Sequence, residues 1–184
     1  MTHRNFLLLT IVTLAAAPAS GAVTVLGSTS ARMCYEAADG GGSPVIGIRY
    51  CDAAFAEEAL PRRDEVATYV NRGILKMRLG NFDAAIADFD TAIAEDSQQA
   101  EAYLNKGVAM LRGSTDYAKA VPLFTTAIEK NTRRPEIAYL GRGMAHEMGG
   151  QVKAAYLDYK QAQAIAPTWK QPATELARFT VVRN

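Results

Sequence analysis

Few residues of this 184-residue chain are equipped for chemistry, and their spacing limits what each can do. His146 and Glu147 are followed by Met148, Gly149 and Gly150, a run without the second histidine of a zinc-protease helix. A hydrolase using His146 would thus rest on one imidazole; the plainer reading makes it a surface or packing residue. The glycine run Gly40 to Ser43 precedes no Gly-Lys-Ser or Gly-Lys-Thr and cannot cradle phosphate. Gly141 and Gly143 lack the third glycine and the preceding strand of a dinucleotide fingerprint. Asp83, Asp88, Asp90 and Glu95 fall on the polar side of one amphipathic stretch, where solvation is the expected role. Cys34 and Cys51 are the only cysteines, too few without nearby histidines to fill a tetrahedral zinc shell. These readings give no catalytic residues, no metal site and no cofactor. Asn71 and Asn105 remain: each amide offers a donor and an acceptor suited to the backbone of an extended peptide. The alternative for both is repeat packing, since each precedes a basic residue and a glycine.

The elements that position these side chains follow from periodicity. Val66 to Gln99 reads as two amphipathic helices joined by a turn at Gly80 and Asn81. The first carries Gly73 among larger residues; the second places Phe82, Ala85, Phe89 and Ala92 on one face at steps of three and four. The pattern recurs twice. Gly73, Gly107 and Gly143 are spaced by 34 and 36 residues, and Ala85, Ala120 and Ala155 by 35, as are Phe89, Phe124 and Tyr159. Such periods mark a helical array.

In these residues the chain resembles the tetratricopeptide repeat family. The first copy (66–99) matches through Tyr69, Gly73, Gly80, Phe82, Ala85, Phe89 and Ala92. The second (100–135) matches through Tyr103, Gly107, Tyr117, Ala120, Phe124 and Ala127, and the third (136–169) through Tyr139, Gly143, Gly150, Ala155, Tyr159, Ala162 and Pro167. The family's closing proline is replaced by Ser97 in the first copy, and the second has extra residues near Arg112 to Thr115 and before Pro135. The resemblance implies an all-α, right-handed solenoid of three hairpins across 62–169, whose first helices line a concave surface. The outward face of those helices would then carry Val70, Asn71, Ile74 and Met77, then Leu104, Asn105, Val108 and Leu111, then Leu140, Gly141, Met144 and Met148. The stripe is mostly apolar, more than a soluble monomer usually exposes. Its expected peptide-binding set is Val70, Asn71, Ile74, Leu104, Asn105, Val108, Leu140 and Met144. The basic cluster with which some members hold a terminal carboxylate is not matched: Val70, Ile74, Ile137 and Gly141 stand at its positions and only Asn105 agrees. Arg72, Lys106 and Arg142 recur as solvated or snorkelling charges.

The flanks complete the organisation. Residues 1–19 have a basic start, an apolar run from Phe6 to Ala17 and small residues at Ala17 and Ala19, the form of a secretory signal with cleavage after Ala19 or Ala22. The run is short for the roughly 20 residues needed to cross a bilayer. Export to a bacterial periplasm, or another secretory compartment, is the expectation. There a Cys34–Cys51 disulfide would persist, stapling a degenerate helix pair within 20–61; buried free thiols are the other reading. The 17-residue separation equals that from Arg72 to Phe89, which spans the two helices of a full repeat. Asp64 and Asp116 are placed to cap the helices that follow them, and Ala173, Leu176 and Ala177 give a capping helix within 170–184 an apolar face.

An apolar content of 49% with 21% charged residues fits a globular domain. Losing residues 1–19 would remove Arg4 from the 20 basic residues, leaving 19 against 19 acidic, without the basic excess that nucleic acid requires. The expected function is a non-catalytic scaffold of the cell envelope whose groove binds a peptide or helix of a protein partner. The alternative is a structural or self-associating protein whose groove is filled by Ala22 to Leu26 or by a second copy.

Overall fold

The computed structural model describes residues 2–3, 21–25, 29–114 and 116–180. Most of the signal segment expected over 1–19, and the tail 181–184, lie outside the described residues. Nine α-helices are found among those described: α1 (Thr29–Gly40), α2 (Pro44–Glu57), α3 (Arg62–Arg78), α4 (Phe82–Glu95), α5 (Ala100–Gly113), α6 (Ala120–Glu129), α7 (Pro135–Met148), α8 (Val152–Ile165) and α9 (Lys170–Leu176). They pair as four consecutive hairpins, α1/α2 to α7/α8, with α9 packed on α8. The one strand pairing among the described residues is a two-residue antiparallel ladder of Thr2–His3 (β1) with Phe179–Thr180 (β2). The expected all-α stack of three repeats, with a linked pair before and a cap after, is the architecture found.

Each of the last three hairpins is closed by a glycine facing a large ring. A Cβ added to Gly73 would stand 2.5 Å from the Phe89 ring, to Gly107 2.9 Å from Phe124, and to Gly143 2.7 Å from Tyr159. All three rings are fully buried. Only the smallest residue lets the two helices approach closely enough to seal the ring between them. In the α1/α2 pair a Cβ on Gly47 would meet Ala37 at 2.7 Å and Leu75 at 2.8 Å, so small residues do the same work without a large ring. Cys34 and Cys51, both without exposed surface, are disulfide-bonded across this pair with Cα atoms 4.9 Å apart.

Three local expectations are corrected. Asp64 lies in the first turn of α3, whose N-cap position is taken by Pro61. Asp116 makes no side-chain cap bond; it pairs with Lys119, and Tyr117–Lys119 is a 3-10 turn that delays α6 to Ala120. In α9 the buried residues are Pro172 and Glu175, while Ala173 and Ala177 are exposed. Glu175 turns inward because Arg178 bonds its carboxylate beside the last hairpin.

Candidate peptide groove

Residues 21–25 cross the first helices of the stack in order from α5 to α1. Gly21 lies against Glu101 and Asn105 of α5: a Cβ there would be 2.9 Å from Glu101 Cγ and 3.8 Å from Asn105 Nδ2. The Ala22 carbonyl accepts a hydrogen bond from Arg133 Nη2 at 2.8 Å. Val23 then meets Asn71 of α3 reciprocally, its N–H donating to Oδ1 at 2.8 Å and its carbonyl accepting from Nδ2 at 2.8 Å. Val25 closes the run in a cluster with Ala31, Ala54 and Ala67. Ala22 and Val25 are buried, Val23 and Thr24 half-buried.

Asn71 and Asn105 lie against this segment, and Val70, Ile74, Leu104 and Val108 share its core, but the expected binding residues do not form an open wall. Val70, Asn71, Ile74, Leu104 and Asn105 have no exposed surface, Leu140 has 2%, and Val108 and Met144 each 8%. Val70, Ile74, Leu104 and Val108 belong to the main core with Ala22, and Leu140 and Met144 to a second cluster with Tyr159. The stripe expected to be exposed is therefore corrected to one that is largely covered, with Leu111 partly buried and only Met148, at 48%, exposed. The cause is packing on several sides: α3 touches α1, α2, α4 and α5, so nearly its whole circumference is buried. Of the two asparagines only Asn71 holds the segment. Asn105 instead donates to the Glu101 carbonyl one turn back in its own helix, at 2.8 Å.

A set of charged residues read as solvated is in fact structural. Asp88 is 4% exposed and takes two hydrogen bonds from Arg72, at 3.0 and 2.8 Å, with Lys76 at 2.8 Å. Arg142 and Asp158 repeat the arrangement at 2.9 and 2.8 Å. Both pairs are 16 residues apart, and that shared step was the signal available in the sequence. Forked guanidinium–carboxylate pairs of this kind hold the two helices of a hairpin in fixed register. In the α5/α6 hairpin Leu123 stands where the acid would be, immediately before Phe124, and Lys106 reaches back to Asp90 of the preceding hairpin.

His146 directs Nδ1 at Gln151 and has Nε2 3.8 Å from Asp158. Among the described residues no cluster of three or more His, Cys, Asp or Glu side chains could hold a metal. A small cavity of about 110 Å³ lies nearby, lined by Met144, Glu147, Met148, Tyr159, Glu175 and Arg178. Tyr159 donates to Glu147 at 2.7 Å, and Arg178 bonds both Glu147 and Glu175. Burial raises the Glu175 carboxyl above its ordinary range. Burial, then the charge of Glu147, drives the Tyr159 phenol far above its ordinary value. Above pH about 10 an unfolded tyrosine releases its proton while the buried one keeps it. The unfolded chain then binds fewer protons, so stability falls as pH rises, by about 1.4 kcal/mol per pH unit from this group. Thermal unfolding followed from pH 9 to 11 should show that decline in the native chain and a shallower one in Tyr159→Phe; parallel curves would refute the assignment.

Glycine-sealed, salt-clamped helix hairpins stacked in tandem define a helical repeat protein. The tetratricopeptide repeat model matches residues 70–115 and 111–168, more than half of the chain, and the chain belongs to that family. Two solved structures of MamA, one the MamA RS-1 ArsTM double mutant and the other MamA 41-end from Desulfovibrio magneticus RS-1, share its fold. The first is 18% identical with a TM-score of 0.66 and the second 19% with 0.65; in each, 81% of this chain covers 82% of the other. PilW, a widely conserved type IV pilus biogenesis factor, aligns at 20% identity and a TM-score of 0.65, over 80% of this chain and 65% of its own. No curated protein matches the chain.

Proposed function

We propose that this chain is a non-catalytic protein-interaction scaffold whose concave groove receives an extended peptide, with residues 21–25 as the resident occupant. The reciprocal pair between Asn71 and the Val23 backbone carries this reading. Such bonds recognise main chain rather than side chain, so a segment from another protein can take the same place. A buried Cys34–Cys51 disulfide accords with an oxidising, exported setting, as does the likeness to a pilus biogenesis factor. Among the described residues no helix is long and apolar enough to cross a membrane.

The second reading, in which the segment is a permanent part of the fold, draws on the same contact, and one experiment separates the two. Val23→Pro in the full chain removes the N–H that Asn71 accepts. A fluorescein-labelled synthetic peptide with the sequence of residues 20–26 is then titrated into native and variant chains. Binding about tenfold tighter to the variant, equivalent to about 1.4 kcal/mol, is the result expected of a displaceable occupant. No binding to either chain would end the proposal in favour of a fixed element. Acidic substitution at Leu104 is a poor probe of the groove, because that side chain is fully buried and a carboxylate there would disturb the fold itself.

A further inference from the structure

The five residues seated in the groove are held by more than their backbone. Gly21 stands at φ +22°, on the side of the backbone map that favours glycine, and a Cβ there would come within 2.9 Å of Glu101 Cγ. Glu101 has little room to yield: it is 5% exposed, and its Oε1 accepts the Arg133 backbone N–H at 2.9 Å. Ala22 is buried in the main core cluster while Arg133 holds its carbonyl, so a longer side chain there would have to displace packed neighbours. Val25, equally buried, meets Ala31, Ala54 and Ala67. These three alanines, from α1, α2 and α3, leave a space that a branched side chain fills. Between the two ends, Val23 and Thr24 are only half-buried. The Val23 N–H and carbonyl both go to Asn71, and a helical ligand, whose interior backbone groups are already bonded to one another, could not reproduce that pair.

We propose that the groove selects an extended segment of the form Gly-Ala-x-x-Val, the two middle positions being open to other side chains, and that a protein partner is recognised by presenting such a run. This deepens the groove reading and rests on it. Backbone pairing at Asn71 sets the register of the bound chain. Side chains are then read by exclusion at the first two positions and by filling of the alanine-walled space at the last. The fitting segment is small and uncharged at its start and β-branched at its end, since a charge in either buried position would lose its water without gaining a partner.

The test displaces the fluorescein-labelled peptide of residues 20–26 from the Val23→Pro chain with unlabelled variants of the same peptide. Gly21→Ala, Ala22→Leu and Val25→Ala are each expected to compete about tenfold less well than the parent sequence, through a collision, an overpacked position and two lost buried methyl groups respectively. Thr24→Lys should compete within about threefold, because its long stem carries the charge out to water. Glu101→Ala in the receiving chain removes the Cγ that blocks position 21 and should cut the Gly21→Ala penalty to about threefold, the remainder being the cost of the left-handed backbone. Equal competition by all the peptides would overturn the selectivity and leave a groove that takes any extended chain. A Gly21→Ala penalty unmoved by Glu101→Ala would overturn the steric reading of the first position. Failure of the parent peptide to bind at all would instead remove the exchangeable groove, and this proposal with it, so the two failures are told apart.

Discussion

Phe124→Ala is expected to destabilise the chain by about 3–5 kcal/mol, the range for removing a fully buried aromatic ring. The upper part of that range applies because the ring serves two junctions. It seals Gly107 within its own hairpin and also lies in van der Waals contact with the site of Gly141 on the next, where an added Cβ would collide with it. Few neighbours can collapse into the vacated space, since helix backbone stands on both sides. Denaturant unfolding monitored by helical circular dichroism gives the value. A loss below about 1.5 kcal/mol, the usual ceiling for a volume-conserving core change, would mean that the ring is not the joint described.

The second large effect is expected at the disulfide. Breaking Cys34–Cys51, by reductant or by replacing both with alanine, should cost about 3 kcal/mol, the loop-closure value for a bridge of 17-residue separation. The loss should concentrate in the first hairpin, which has the cystine and a glycine contact where the other hairpins have a large ring. Hydrogen exchange resolved by peptide would show α1 and α2 opening well before α5 to α8. Uniform loss of protection along the stack would instead show that the bridge stabilises a single cooperative unit.

The repeat architecture was legible because steric matching leaves a mark in composition: a glycine can face a large ring only if both are kept, and that pair recurs at Gly73 and Phe89, Gly107 and Phe124, and Gly143 and Tyr159. The groove was less legible. A helical wheel distinguishes an inner face from an outer one when a helix packs on one side, but α3 has four helix neighbours and the distinction vanishes there. Polar positions were hidden for a related reason. Asp88 and Asp90 are two residues apart on one helix, yet the first is buried beneath Arg72 and the second is on the surface, a difference set by partners outside the helix. Asn71 and Asn105 share the pattern of asparagine, basic residue and glycine; only the path of residues 21–25 makes one a backbone clamp and leaves the other with an open acceptor. In α9 the inward glutamate and outward alanines reverse simple hydropathy because an arginine waits beside the glutamate.

Val25 is joined to the start of α1 at Thr29 through only three residues. On the proposed function residues 21–25 leave the groove while still tied to α1, and so stay close to it. A short leash of this kind holds a competitor at an effective concentration on the order of millimolar. Any outside peptide present at micromolar levels must therefore be intrinsically about a thousandfold better than the native segment to share the site equally. On the proposed function, weak and abundant ligands would be turned away, and the groove would answer only to a segment whose side chains add what backbone pairing alone does not.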